Sequence, residues 1–185
     1  PYWWPSRSSY FGIIDLAGFP KDVYYMYQSE WTGKDVLHVF PHWNWNPGDS
    51  VDVWAYSSAP EVELFLNGKS LGLQQKGPDD LHLRWRVAWS PGTVKAISRN
   101  NGKEVLTREI KTAGEPAAIK LTADRSKLSA DGQDLSFITV EILDKDGNMV
   151  PTADKLVNFE LDGSASIAGV DNGNPVSHEP FQAYY

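Results

Sequence analysis

The chain has no cysteine among its 185 residues, so neither disulfides nor thiolate metal sites can hold its fold, and nothing marks its redox compartment. Basic charge is also scarce. Lys and Arg number 17 against 24 Asp and Glu, and the net charge of -7 repels phosphate backbones and anionic membrane surfaces. No apolar run approaches the ~20 residues of a membrane span, and residues 1–4 (PYWW) lack the charged-then-apolar order of a signal peptide. The partners expected on these grounds include no nucleic acid and no membrane. An initiator Met is missing too, which points to a natural N-terminus upstream and to a piece of a longer chain.

What is present suits an ordinary packed protein. Hydrophobic residues make up 41% of the chain at a mean hydropathy of -0.41, enough to bury a core and too much for a disordered segment. Trp is in excess, with eight residues, of which Trp3, Trp4, Trp43 and Trp45 fall in pairs or near-pairs. An indole offers a large flat face and one N–H donor, which serves stacking on sugar rings as well as packing between domains, and packing is the commoner use.

Three segments follow one another. In the first, residues 10–15 (YFGIID) form a short β-branched and aromatic run, expected to be a buried strand. Pro20 fits the first turn of a helix, where its missing N–H costs nothing. From there to Trp31 the apolar positions Val23, Tyr24, Tyr27 and Trp31 recur at helical spacing, and Thr32-Gly33 supplies the stop. One strand and one helix make a single βα unit, which cannot bury both of its faces alone.

The second segment, residues 33–113, reads as a succession of strands. Residues 36–40, 51–56, 61–66, 83–89, 93–98 and 105–110 alternate apolar with polar side chains, and Asn67-Gly68 and Asn101-Gly102 are two-residue hairpin signals. About seven short strands at 8 to 12 residue spacing predict an immunoglobulin-like β-sandwich held by packing alone. After a hinge at Gly114-Glu115-Pro116, residues 118–122, 135–142 and 157–161 alternate again around the turn DKDGN at 144–148, predicting a second sandwich over 114–185 that lacks its closing strands.

None of these segments carries a convincing catalytic motif. The turn at 144–148 imitates half of a calcium loop, but its twelfth position is Lys155 rather than an acid. His38 and His42, four apart with Pro41 between them, do not have helical metal-ligand spacing. Asn67-Gly68-Lys69-Ser70 lacks the first half of a phosphate loop, and a hairpin accounts for it. No cofactor is expected.

Residues 4–31 (WPSRSSYFGIIDLAGFPKDVYYMYQSEW), 38–45 (HVFPHWNW), 51–72 (VDVWAYSSAPEVELFLNGKSLG) and 121–151 (LTADRSKLSADGQDLSFITVEILDKDGNMVP) resemble the C-terminal region of bacterial β-galactosidases of glycoside hydrolase family 2. The resemblance runs over essentially the whole chain. In that family a (β/α)8 barrel is followed by β-sandwich modules, which implies that residues 1–32 are the last strand and helix of the barrel. The expected fold is therefore mainly β, tandem immunoglobulin-like sandwiches preceded by one barrel strand–helix unit, whose partner is the upstream barrel of the same chain. The family is similar in using two barrel glutamates in a retaining double displacement, and neither has a counterpart here. This chain alone is expected to hydrolyse nothing.

The resemblance also implies that residues 2–9 help wall a sugar subsite, with Trp4 stacking on a sugar ring and Arg7 donating to hydroxyls or pairing with a carboxylate. A second hypothesis makes the sandwich itself a carbohydrate-binding module through Trp43, Trp45 and Trp54, with exposed rings favouring binding and buried rings favouring packing. A third, adhesion, rests on an architectural likeness of the last segment to invasin-type repeats. The family occurs in bacteria, and a periplasmic or secreted enzyme fits as well as a cytoplasmic one.

Overall fold

The structure, a computed structural model, describes residues 10–180. Its single described helix, α1 (Asp22–Trp31), is followed by β1 (Leu37–Phe40), β2 (Ser50–Ser57), β3 (Glu61–Leu66), β4 (Lys69–Gln75), β5 (Leu83–Ala88), β6 (Thr93–Asn100), β7 (Lys103–Lys111), β8 (Ala118–Ala123) and β9 (Ile138–Leu143). The molecule is mainly β, as the alternation of its residues predicts.

Seven strands form two antiparallel sheets, ordered β1-β2-β5 and β4-β3-β6-β7. Their inward positions recur with period two: Val51, Val53 and Ala55 on β2, Leu83, Trp85 and Val87 on β5, Val62 and Leu64 on β3, Val94 and Ala96 on β6. These side chains meet in one core, which is why the sheets face each other. Asn67 and Gly68, at φ 51° and 81°, turn β3 into β4 in the left-handed conformation that a two-residue hairpin requires. Asn101 and Gly102 repeat the device between β6 and β7.

The first segment departs from expectation. Residues 10–15 form no strand; Ile14 makes one isolated bridge to Pro20, and Phe11 is 78% exposed. A strand is defined by its neighbour's hydrogen bonds, and among the described residues no strand lies beside it. Pro20 stands before the helix rather than in its first turn, since Lys21 is the N-cap and α1 starts at Asp22. At the other end Thr32 Oγ1 donates to the Gln28 carbonyl at 2.7 Å, and it is this bond, not a left-handed glycine, that closes the last turn.

Among its described residues the third segment contains only the two-stranded sheet β8-β9, in register from Ala118↔Leu143 to Ala123↔Ile138. Residues 157–161 alternate as a strand would but pair with nothing among the described residues. Two strands do not enclose a core, and Ile119, Leu121 and Ile138 remain exposed. Gly114 is no free hinge either: its N–H donates to Asp144 Oδ2 at 2.9 Å, and the Ala117 N–H donates to the Leu143 carbonyl.

Candidate functional site

Two junctions and one loop hold most of the polar chemistry that joins the three segments. The first junction lies between α1 and the outer face of the β1-β2-β5 sheet. Strand alternation places His38 and Phe40 of β1 and Trp54 and Tyr56 of β2 on that face, across from one another as His38↔Tyr56 and Phe40↔Trp54. Tyr25 of α1 stacks on His38 with centroids 4.0 Å apart and planes at 13°. The row continues through Phe40 and Tyr56 to Trp54, which stacks on His82 at 4.1 Å. His38 Nε2 lies 2.7 Å from Asp22 Oδ1. Burial in this row, with the Asp22 charge adding to it, raises the Tyr56 phenol above its ordinary value. At the far end of the helix Lys76 Nζ donates to Glu30 Oε1 at 2.7 Å and to the Ser57 carbonyl at 2.9 Å.

The second junction is the aromatic corner after β1, which a cis Phe40–Pro41 bond opens. Trp43 Nε1 donates to the Ser90 carbonyl at 2.9 Å, and the Trp43 carbonyl accepts from Thr112 Oγ1 and from Trp89 Nε1. Asn44 behaves as one more rung of a sheet: its Nδ2 donates to the Ala113 carbonyl at 2.8 Å and its Oδ1 accepts from the Ala113 N–H at 2.9 Å. One residue on, Gly114 is held by Asp144. That carboxylate is 4% exposed and also accepts from the backbone N–H groups of Asp146 and Asn148 and from Asn148 Nδ2. These donors, the Gly114 N–H first, hold its pKa down at about 2. A cleft of about 360 Å³ borders this junction, lined in part by Asn44, Glu115, Thr152 and Lys155.

The loop connects Ile14 to the helix. Asp15 N–H donates to the Phe19 carbonyl at 2.9 Å and Phe19 N–H donates to Asp15 Oδ1 at 2.8 Å, so residues 15–19 close on themselves.

The three sandwich tryptophans do not converge. Trp43 is 1% exposed and fills the core, so neither of its faces is open to a ligand. Trp45 is 39% exposed, its Nε1 donating to the His42 carbonyl and its ring stacked on His42 at 5.0 Å. Burial lowers the His42 pKa, so the ring beneath Trp45 is a neutral imidazole at pH 7. Trp54 is half-buried, with His82 across one face. Trp4 and Arg7 lie outside the described residues. What the residue-by-residue reading missed is Asn44 and Asp144, which look like loop residues in sequence because their partners, Ala113 and Gly114, lie far along the chain. Among the described residues no cluster of three or more His, Asp or Glu can hold a metal ion, and no helix is long and apolar enough to cross a membrane.

Residues 119–185 match the family model of glycoside hydrolase family 2 C-terminal domain 5, and residues 48–106 match a domain of unknown function, DUF4982. Beta-galactosidase BoGH2A of Bacteroides ovatus is 65% identical over 98% of this chain and 22% of its own length. The chain belongs to glycoside hydrolase family 2, in its C-terminal region. A second relative of this family 2 chain, a putative beta-glucuronidase of Formosa agariphila, is 38% identical over 89% of it and 16% of the relative's length. The crystal structure of a beta-glycosidase from Bacteroides vulgatus superposes with a TM-score of 0.93 at 37% identity, covering 98% of the family 2 chain and 24% of the other. The chain thus spans about a fifth of the length of the curated relatives it matches.

Proposed function

We propose that this chain is the accessory C-terminal region of a retaining β-galactosidase acting on terminal β-galactosides of oligo- or polysaccharides, its catalytic carboxylates residing in another part of the same protein. The observation that carries the reading is the 65% identity to a β-galactosidase over 98% of the chain. On this reading residues 1–32 are the last strand–helix unit of a (β/α)8 barrel, represented among the described residues by α1, and residues 33–113 and 114–185 are the two β modules behind it. The geometry supports a positioning role. Glu30, Glu63 and Asp52 are committed to ion pairs with Lys76, Arg99 and Arg86, which tie the helix to the sandwich and strand to strand. Two carboxyl groups about 5 to 5.5 Å apart, one kept protonated, are what retention requires.

The test is direct. The full-length gene product should hydrolyse a chromogenic β-galactoside with retention of anomeric configuration, and the 185-residue chain at equal concentration should not. Preference of the full-length protein for a β-glucuronide, the activity named for the Formosa relative, would overturn the substrate assignment. Hydrolysis proportional to the added 185-residue chain would overturn the accessory role.

A further inference from the structure

Gly173 is buried although its neighbours Asn172 and Asn174 are exposed. It adopts φ +73°, and a Cβ at this position would lie 2.5 Å from Asp15 Oδ2 and 3.2 Å from Oδ1. Only a residue without a side chain lets the backbone come this close to that carboxylate. The turn around Gly173, from the last segment of the chain, is therefore packed onto the loop that follows Ile14 at its opposite end.

The turn is built so that its outer atoms remain available. The Asp171 carboxylate accepts from the Gly173 N–H at 2.8 Å, Asn172 Oδ1 accepts from the Asn174 N–H at 3.0 Å, and Asn174 Oδ1 accepts from the Val176 N–H at 3.1 Å. Each asparagine thus spends its oxygen on the backbone, which leaves the Nδ2 of both without a partner among the described residues. Two amide donors two positions apart, on a turn fixed by its own backbone bonds, are the chemistry that sugar hydroxyls accept from.

We propose that the turn at residues 171–176 forms part of the aglycone side of the substrate cleft, with the Asn172 and Asn174 amides donating to hydroxyls of the sugar that carries the galactosyl group. This rests on the barrel reading above, under which α1 is a barrel helix and the loop at 15–19 leads into its N-terminal end, on the face of the barrel where substrates bind. The galactosyl residue itself sits within the barrel, so a wall brought in from a later module reaches only the portion of the substrate that protrudes.

The experiment uses the full-length enzyme and the isosteric double variant N172D/N174D, which keeps both backbone-accepting oxygens and removes both donors. The KM for a β-galactosyl oligosaccharide, relative to the KM for a nitrophenyl β-galactoside, should rise about three- to tenfold, as loss of one or two neutral hydrogen bonds predicts. In parallel, Gly173→Val should speed amide exchange at Phe19 by pushing Asp15 off its bond. An active wild type with an unchanged ratio in N172D/N174D would overturn the proposal, since a purely structural turn would tolerate that change. A wild type inactive on both substrates would overturn the galactosidase reading and the aglycone role together, and Phe19 exchange in Gly173→Val would still show whether the turn holds the loop.

Discussion

A single indole shows how residue type, position and use separate in this chain. Trp43 and Trp45 differ by two positions, yet one lies in the core and the other at the surface. Trp43 ties its Nε1 to Ser90 and its carbonyl to Thr112, so the buried ring leaves no polar atom unmatched. Replacing it by Ala removes a fully buried aromatic side chain and leaves a cavity between the sheets, for a cost of about 3 to 5 kcal/mol. Denaturant unfolding of Trp43→Ala followed by circular dichroism measures this loss directly. Trp45→Ala removes a half-exposed ring stacked on a neutral His42 and should cost less than about 1.5 kcal/mol. If the sandwich alone bound sugar, Trp45 is where a ring face remains available, and isothermal titration of the 185-residue chain with galactose and lactose would lose its heat in that variant. On the architectural reading neither protein gives a binding heat.

At the scale of elements, legibility followed the range of the interactions. The hairpins at Asn67-Gly68 and Asn101-Gly102 were readable because a left-handed turn is a demand on two adjacent residues, and alternation located β2, β3, β5 and β6 because each buries one face. Residues 157–161 carry the same alternation, and residues 10–15 a β-branched and aromatic run, without becoming strands, since pattern assigns a face but cannot supply a neighbour. The candidate site was less legible still: Gly173 beside Asp15, and Asp144 beneath Gly114, are contacts across long sequence separation that no local pattern announces. Asp144 makes a prediction at this scale. With the folded pKa at about 2 against an ordinary 3.8, its carboxylate contributes stability that is fully present above pH 3.8 and is lost as pH falls toward 2. Asp144→Asn should therefore flatten the stability profile between pH 4 and 2, while at pH 7 it loosens the link from β7 to β8. Stability curves for both proteins across that interval check the sign, and an equally steep acid limb in the variant would remove Asp144 as its source.

For the molecule as a whole, the question is what fixes α1 to the two facing sheets. A ten-residue helix is marginal in water on its own, so α1 owes its order to docking. The Tyr25–His38 stack and the pair of His38 with Asp22 hold its start, while Lys76 bridges Glu30 to the Ser57 carbonyl at its end. The partly exposed His38–Asp22 hydrogen bond contributes on the order of 1 kcal/mol, and the aromatic stack adds about 0.5 to 1.5 kcal/mol beyond the area it buries, so with that area counted the ring contact is the larger share at the first end. Three variants separate the contributions: Tyr25→Ala, His38→Ala and both together. Amide exchange in α1 should accelerate in each single variant, and the double variant should fall short of the sum by the energy of the stack, since either change alone already abolishes it. Amides of β3 and β6 should keep their protection, because the core between the sheets does not include either residue. Additive effects would mean that the rings pack independently. Loss of protection in β3 and β6 as well would mean that helix and sandwich unfold as one unit, and that the β module depends on the helix as much as the helix depends on it.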